Sequence, residues 1–241
     1  MYMNCDRAVI LHGTIEKFSK QRTTGDFLLD DSDRSAAGLT AVAAALVGSG
    51  GAIGLAALAG TKEEADRIQF ELDGKKISGW LMWSPFNNGD EVDVVAELLR
   101  DGTYRAFAML KPRDRIIALY PHCSRGRIAH YINTLKWFVW IFGGIFLASC
   151  CVMGVIFWVN HDSDWRAFVG LMGGGGIISF VIYAIIAFSI SRKFMPFVNM
   201  AEGIFQALGW RDAKTIDLPA RSRDARKAEG KPGLGILYFK Y

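Results

Sequence analysis

Residues 137–159 read WFVWIFGGIFLASCCVMGVIFWV, 23 residues without a charge. As an α-helix this run is roughly 34 Å long, enough to cross a hydrocarbon core of about 30 Å. A second run, residues 167–190, reads AFVGLMGGGGIISFVIYAIIAFSI and is 24 residues long, also uncharged. Between positions 137 and 190 the only charged residues are Asp162, Asp164 and Arg166. A buried helical hairpin of a soluble protein is the alternative, but such helices rarely exceed about 20 residues without a polar stripe. Trp137, Trp140, Trp158 and Trp165 stand near the ends of the runs, where amphipathic aromatics settle at headgroup level. Two transmembrane helices are therefore expected.

Composition agrees with that concentration of apolar residues. The 241-residue chain is 51% hydrophobic yet 22% charged, and its mean hydropathy is +0.19. Those values exclude a uniformly soluble globule and a disordered chain. Four cysteines, Cys150 and Cys151 inside the first run, give no disulfide framework. The amino terminus, MYMNCDRAVILHG, lacks the basic start and apolar core of a signal peptide, so none is expected there.

Flanking charge sets the orientation. Arg125, Arg127 and Lys136 precede the first run, and Arg192 and Lys193 follow the second. The short connection holds one Arg and two Asp, so both termini are expected in the cytoplasm. Within the runs, Gly143 and Gly144 on one and Gly170, Gly173, Gly174, Gly175 and Gly176 on the other remove bulk. Such faces allow close helix packing, either within the hairpin or in a homo-oligomer. The run of four glycines also weakens the helix and favours a kink there.

Residues 1–136 hold 17 basic and 17 acidic side chains. Strand-like segments recur at 8–18, 25–29, 67–72, 76–83, 91–98, 103–110 and 115–119. Turn signals at Asp73-Gly74, Asn88-Gly89 and Asp101-Gly102 separate several of them. Ile68, Phe70 and Leu72 alternate at period two, as half-buried strands do. The pattern predicts an α+β membrane protein: a small antiparallel, OB-like barrel, then the transmembrane hairpin, then a C-terminal amphipathic helix. The units fall at residues 1–124, 125–191 and 192–241. Zero net charge on the barrel half argues against nucleic acid, which needs a basic surface.

Residues 35–60, SAAGLTAVAAALVGSGGAIGLAALAG, form an uncharged Ala/Gly-rich insertion split near Gly48–Gly51 into two arms too short to span. A packed helical hairpin, a flexible loop and a conditionally inserting hairpin all remain open for it.

The stretch leading into the first run, Tyr120, Pro121, His122, Cys123, Ser124, Arg125, Gly126 and Arg127, reads as an elbow into the membrane. Pro121 would stop a strand, Gly126 would allow a turn, and Arg125 and Arg127 would face anionic headgroups. His122, Cys123 and His130 lie close in sequence, but one loop does not supply three or four metal ligands. A nucleophilic cysteine would need an orienting third residue that the loop does not offer. No metal, cofactor or catalytic set is expected.

Beyond the second run, Phe194, Phe197, Val198, Ala201, Ile204, Phe205 and Leu208 recur at helical spacing, with Asn199, Glu202 and Gln206 opposite. That amphipathic helix lies along the interface or packs on the barrel. From Arg192 onward there are ten basic and five acidic residues, densest at Arg221, Arg223, Arg226 and Lys227. The cluster is expected to face anionic lipid. The closing GILYFKY suggests a last strand returning to the barrel.

The segments SPFNNGDEVDVVAEL (84–98) and DGTYRAFAMLKPRDRIIALYPHCSRGR (101–127) resemble a bacterial family described as type VI secretion system effectors. The family shares an Ala/Gly-rich early segment, a GDEV strand and an ALYPHCSRG stretch before a hydrophobic hairpin. The resemblance implies contact-dependent secretion in Gram-negative bacteria and action at a bacterial inner membrane. A secretion chaperone or adaptor and a cognate immunity protein are the partners it implies, besides the lipid bilayer. The other reading is a resident inner-membrane protein, binding a partner through its cytoplasmic β-domain. Neither reading makes the chain an enzyme.

Overall fold

The computed structural model describes residues 8–25, 63–159, 165–229 and 238–241. The 35–60 insertion, and with it the choice among its three readings, lies outside the described residues.

Seven strands form one sheet: β1 (Ala8–Gly25), β2 (Glu63–Leu72), β3 (Lys75–Leu81), β4 (Glu91–Leu98), β5 (Tyr104–Lys111), β6 (Ile116–Leu119) and β7 (Phe239–Lys240). Their order is β3-β2-β1-β4-β5-β6-β7, and a β3–β5 pairing closes the first five into a barrel. The closing pair is parallel, Ile77↔Tyr104 to Gly79↔Ala106, whereas an all-antiparallel barrel was expected. Residues 82–90 separate β3 from β4 with no hairpin between them, so the chain crosses over before β5 comes beside β3. The Asn88-Gly89 signal therefore marks a loop, while Asp73-Gly74, both at positive φ, makes the tight β2–β3 hairpin.

β1 runs as one strand through Gly25, beyond the 8–18 segment expected, while the expected 25–29 segment lies outside the described residues after Gly25. Its first half pairs with β4 and its second with β2. The register slips between Glu16 and Ser19, where Lys17 takes φ 51°. Such a bulge bends a strand around a barrel corner. Lys17 Nζ then reaches Glu71 Oε2 at 2.7 Å.

β4 and β5 are covered on both faces. Val94, Ala96, Ala106 and Met109 point into the barrel with Ile15, Ile68, Phe70 and Phe86. Val95, Phe107, Ala108 and Leu110 point out into a second core. This is why 94–96 and 106–110 read as continuous apolar runs rather than alternating ones.

Four helices follow: α1 (Arg127–Val159), α2 (Trp165–Lys193), α3 (Met195–Ala207) and α4 (Leu218–Ala228). α3 is the expected amphipathic helix, and it packs on the barrel: Met200, Ala201, Ile204 and Phe205 complete the second core. β7 returns to pair with β6, as the closing sequence suggested. α1 and α2 are both long and apolar enough to cross a membrane, and the most apolar window of each has no buried residue. Their mutual packing is aromatic. Phe138 and Phe142 meet the Phe180 ring edge-on at 5.3 and 5.4 Å between centroids, and Phe142 lies 6.0 Å from Tyr183.

The glycine face is used less than expected. Only at Gly176 would an added methyl meet a neighbour, Phe146 at 2.7 Å. At Gly143, Gly144, Gly170, Gly173, Gly174 and Gly175 it would meet nothing within 4 Å among the described residues. The contacts that join the two helices among the described residues are made chiefly by aromatic rings.

Candidate functional site at the root of the hairpin

The sheet ends at Leu119, and residues 120–126 carry the chain to the first turn of α1. Tyr120 is buried, in ring contact with Phe107 at 6.4 Å, and Pro121 is buried beside it. His122 takes the left-handed conformation, φ 64°. Its Nε2 lies 2.7 Å from Glu63 Oε2, and its ring meets Phe194 and Phe197 edge-on. Cys123 is 1% exposed, and burial in apolar surroundings pushes its thiol well above the usual range. A protonated, enclosed thiol is a packing group rather than a nucleophile.

The elbow is locked by the segment before α4. Gly126 N–H donates to Ile216 O at 2.9 Å, and Leu218 N–H donates to Ser124 O at 3.2 Å. Arg125 Nε donates to Asp217 Oδ1 at 3.1 Å. Asp217 also accepts from Ala220 N–H at 3.1 Å, capping α4 with the same carboxylate. Gly126 is not at positive φ, so conformational freedom is not its reason. A methyl there would stand 2.1 Å from Ala213 O and 2.6 Å from the Lys214 carbonyl, so only glycine admits the crossing backbone.

Arg125 and Arg127 were expected to face headgroups; both are engaged by protein. Arg127 reaches Asn199 Oδ1 at 2.9 Å and Glu202 Oε2 at 3.8 Å. Glu202 is the residue that sequence reasoning placed wrongly, on a solvent face. It is 6% exposed, and its Oε1 accepts from the Arg127 backbone N–H at 2.8 Å. A buried carboxylate thus satisfies a first-turn donor of α1 from another helix. Its neighbours Ala201 and Gly203 are buried too, a hint only in retrospect.

Between the roots of α1 and α2 lies a cleft of about 490 Å³. Its polar end holds His122, Ser124, Arg125, His130, Asn133 and Ser191. His130 Nε2 lies 3.0 Å from Ser191 Oγ and 3.3 Å from Ser191 O, tying α1 to α2. The other end is apolar, with Phe138, Ile141, Phe142 and Ile186 among its walls. Among the described residues, no Asp or Glu lines it. Of the elbow motif, His122, Ser124 and Arg125 come together here, while Tyr120 and Cys123 turn into the second core. Among the described residues, no three His, Cys, Asp or Glu side chains gather as metal ligands.

The basic tail divides. Arg221, Arg223 and Lys227 are exposed on α4, but Arg226 is 5% exposed and donates to Tyr238 O at 3.3 Å. Arg226 therefore anchors the returning strand instead of meeting lipid.

Comparison with family models, with curated proteins and with solved structures returned no match. Fold and site define an α+β chain: a closed five-stranded barrel followed by helices, two of them of membrane-spanning length and hydropathy.

Proposed function

We propose that the chain is a two-span bacterial inner-membrane protein, both termini cytoplasmic, with an OB-like barrel riding on the hairpin root. We further propose that it acts on the bilayer itself, as a membrane-disrupting effector of type VI secretion. The observation that carries the membrane reading is that the most apolar windows of the two helices hold no buried residue. Large side chains such as Trp140, Leu147, Ile177 and Ile185 are 79%, 66%, 69% and 61% exposed. A helix belonging to a soluble core would bury one face, and patches of this size mark membrane or protein contact. The strand order 1-2-3-5-4 with a parallel β3–β5 closure supports the OB-like assignment. The resemblance at 84–98 and 101–127 supports the effector step, with a chaperone or adaptor covering the helices before delivery.

A resident partner-binding protein is the second reading, favoured by the locked elbow. The Gly126, Arg125–Asp217 and Arg127–Glu202 contacts hold the barrel rigidly at the helix roots, as a fixed cytoplasmic platform requires. Expression of the full chain alone in a sensitive bacterium separates the two. Loss of membrane potential and growth, with the protein in the membrane fraction, supports the effector. Normal potential and growth with the same membrane insertion support the resident protein.

A further inference from the structure

We infer that the cleft between the roots of α1 and α2 binds one anionic phospholipid of the surrounding bilayer, its phosphodiester at Arg125 and an acyl chain between the helices. The inference rests on the two-span reading and goes beyond it, because bulk lipid contact requires no built site.

The lining is divided the way an amphiphile is. Arg125 is the cation, its side chain 29% exposed; among the described residues no carboxylate is itself part of the lining, and the nearest, Asp217 and Glu63, are engaged by Arg125 and His122. Nε donates to Asp217, which orients the guanidinium, and a planar five-donor fork can share its remaining N–H groups with a phosphate oxygen. The Ser124 and Asn133 side chains add neutral hydrogen-bonding groups beside it. His122 and His130 are held away from that task by Glu63 and Ser191. Toward the membrane interior the walls become Phe138, Phe142, Tyr183 and Ile186. A free phosphate would use only the upper half; a lipid uses both.

Position and size agree. Trp137, at the junction of polar and apolar ends, is the residue type that sits at headgroup depth. Lys136, Arg192 and Lys193 stand near the same level in sequence and raise the local concentration of anionic lipid. A volume of about 490 Å³ lies within the range of sites that enclose small ligands, roughly 300–1,000 Å³. Basic pockets between cytoplasmic helix ends are a known setting for anionic headgroups.

The test uses the full chain in non-ionic detergent, after alkaline carbonate extraction of membranes. A chain that carbonate releases fails the membrane reading first. For a chain that resists, native mass spectrometry should find one retained phosphatidylglycerol per protein. Phosphatidylglycerol should raise Tm by about 5 °C, the size expected for a ligand well above its Kd. Phosphatidylcholine should give less than half that shift and glycerol 3-phosphate none. Ala187 also lines the cleft, on α2, so Ala187→Phe fills the apolar end while leaving Arg125 in place, and should abolish the shift. Arg125→Gln should weaken phosphatidylglycerol binding about tenfold and erase its advantage over phosphatidylcholine. If Arg125→Gln fails to fold because Asp217 loses its partner, Ala187→Phe decides alone. Equal retention of the two lipids, an undiminished shift in folded Ala187→Phe, or a full shift with glycerol 3-phosphate would each overturn the site.

Discussion

Gly126 and Glu202 carry the junction between barrel and hairpin, and each does so by a different kind of economy in space. Gly126 lets two backbones cross where any side chain would collide with Ala213 O, so Gly126→Ala requires the 213–214 segment to move. We expect it to lower stability by roughly 2–4 kcal/mol, in the range reserved for core overpacking, readable as a shift in the denaturation midpoint in detergent. Glu202 is a buried acceptor for the Arg127 N–H. Glu202→Leu leaves that donor unpaired and should cost about 1–3 kcal/mol, whereas Glu202→Gln keeps an acceptor oxygen and should cost less. Equal losses for both variants would show that the hydrogen bond contributes nothing. On the barrel, between β1 and β4, hydrogen bonding to Asp93, reinforced by its charge, raises the His12 pKa above its ordinary value. Stability from this pair is fully present below the unfolded value and fades as pH rises through the folded one. Wild type should therefore lose a small increment of stability as pH rises above the ordinary histidine range, and His12→Gln should not. Because His12 is exposed, the increment should also shrink in high salt.

Among the elements, the barrel was legible from alternation and turn dipeptides, but its closure was not. Gly79 allows the parallel β3–β5 approach, since a Cβ there would stand 2.6 Å from Ala106 O. Nothing in the local pattern of β3 marks that glycine as a closure point rather than a weak strand position. Gly79→Val should open the β3–β5 seam, seen as accelerated amide exchange at residues 77–79 and 104–106. The two long helices were legible from composition alone, while their packing was not. Seven glycines invited a small-residue interface, yet Phe138, Phe142, Phe146 and Phe180 make the contact. Gly176→Leu should disrupt it through Phe146, lowering Tm. Gly174→Leu should instead stabilise α2 by up to about 1 kcal/mol, the helix-propensity gain over glycine. A loss at Gly174 would reveal a second helix packed on that face.

For the whole molecule, α3, residues 213–218 and the outer faces of β5 and β6 share one core. Phe205, completely buried and stacked on Trp210 at 5.5 Å, sits in it. Phe205→Ala should cost about 3–5 kcal/mol and release the barrel from the helix roots as well as unfold α3, checked by limited proteolysis of the full chain in detergent. By itself the sequence determined which residues leave water. Two uncharged runs, a neutral strand-rich half and a basic end follow from transfer free energy and charge, which are properties of single side chains summed locally. Tertiary structure decided what those segments do to one another. It turned Arg127 and Arg226 from lipid-facing cations into internal partners of Glu202 and the Tyr238 carbonyl, and it oriented Arg125 through Asp217. It also placed Arg125 over an apolar cleft that no single segment contains. The physical reason is that a charge's partner, and a glycine's neighbour, are set by close approach between residues tens of positions apart, such as Arg125 with Asp217. Hydropathy read along a chain carries no record of that approach.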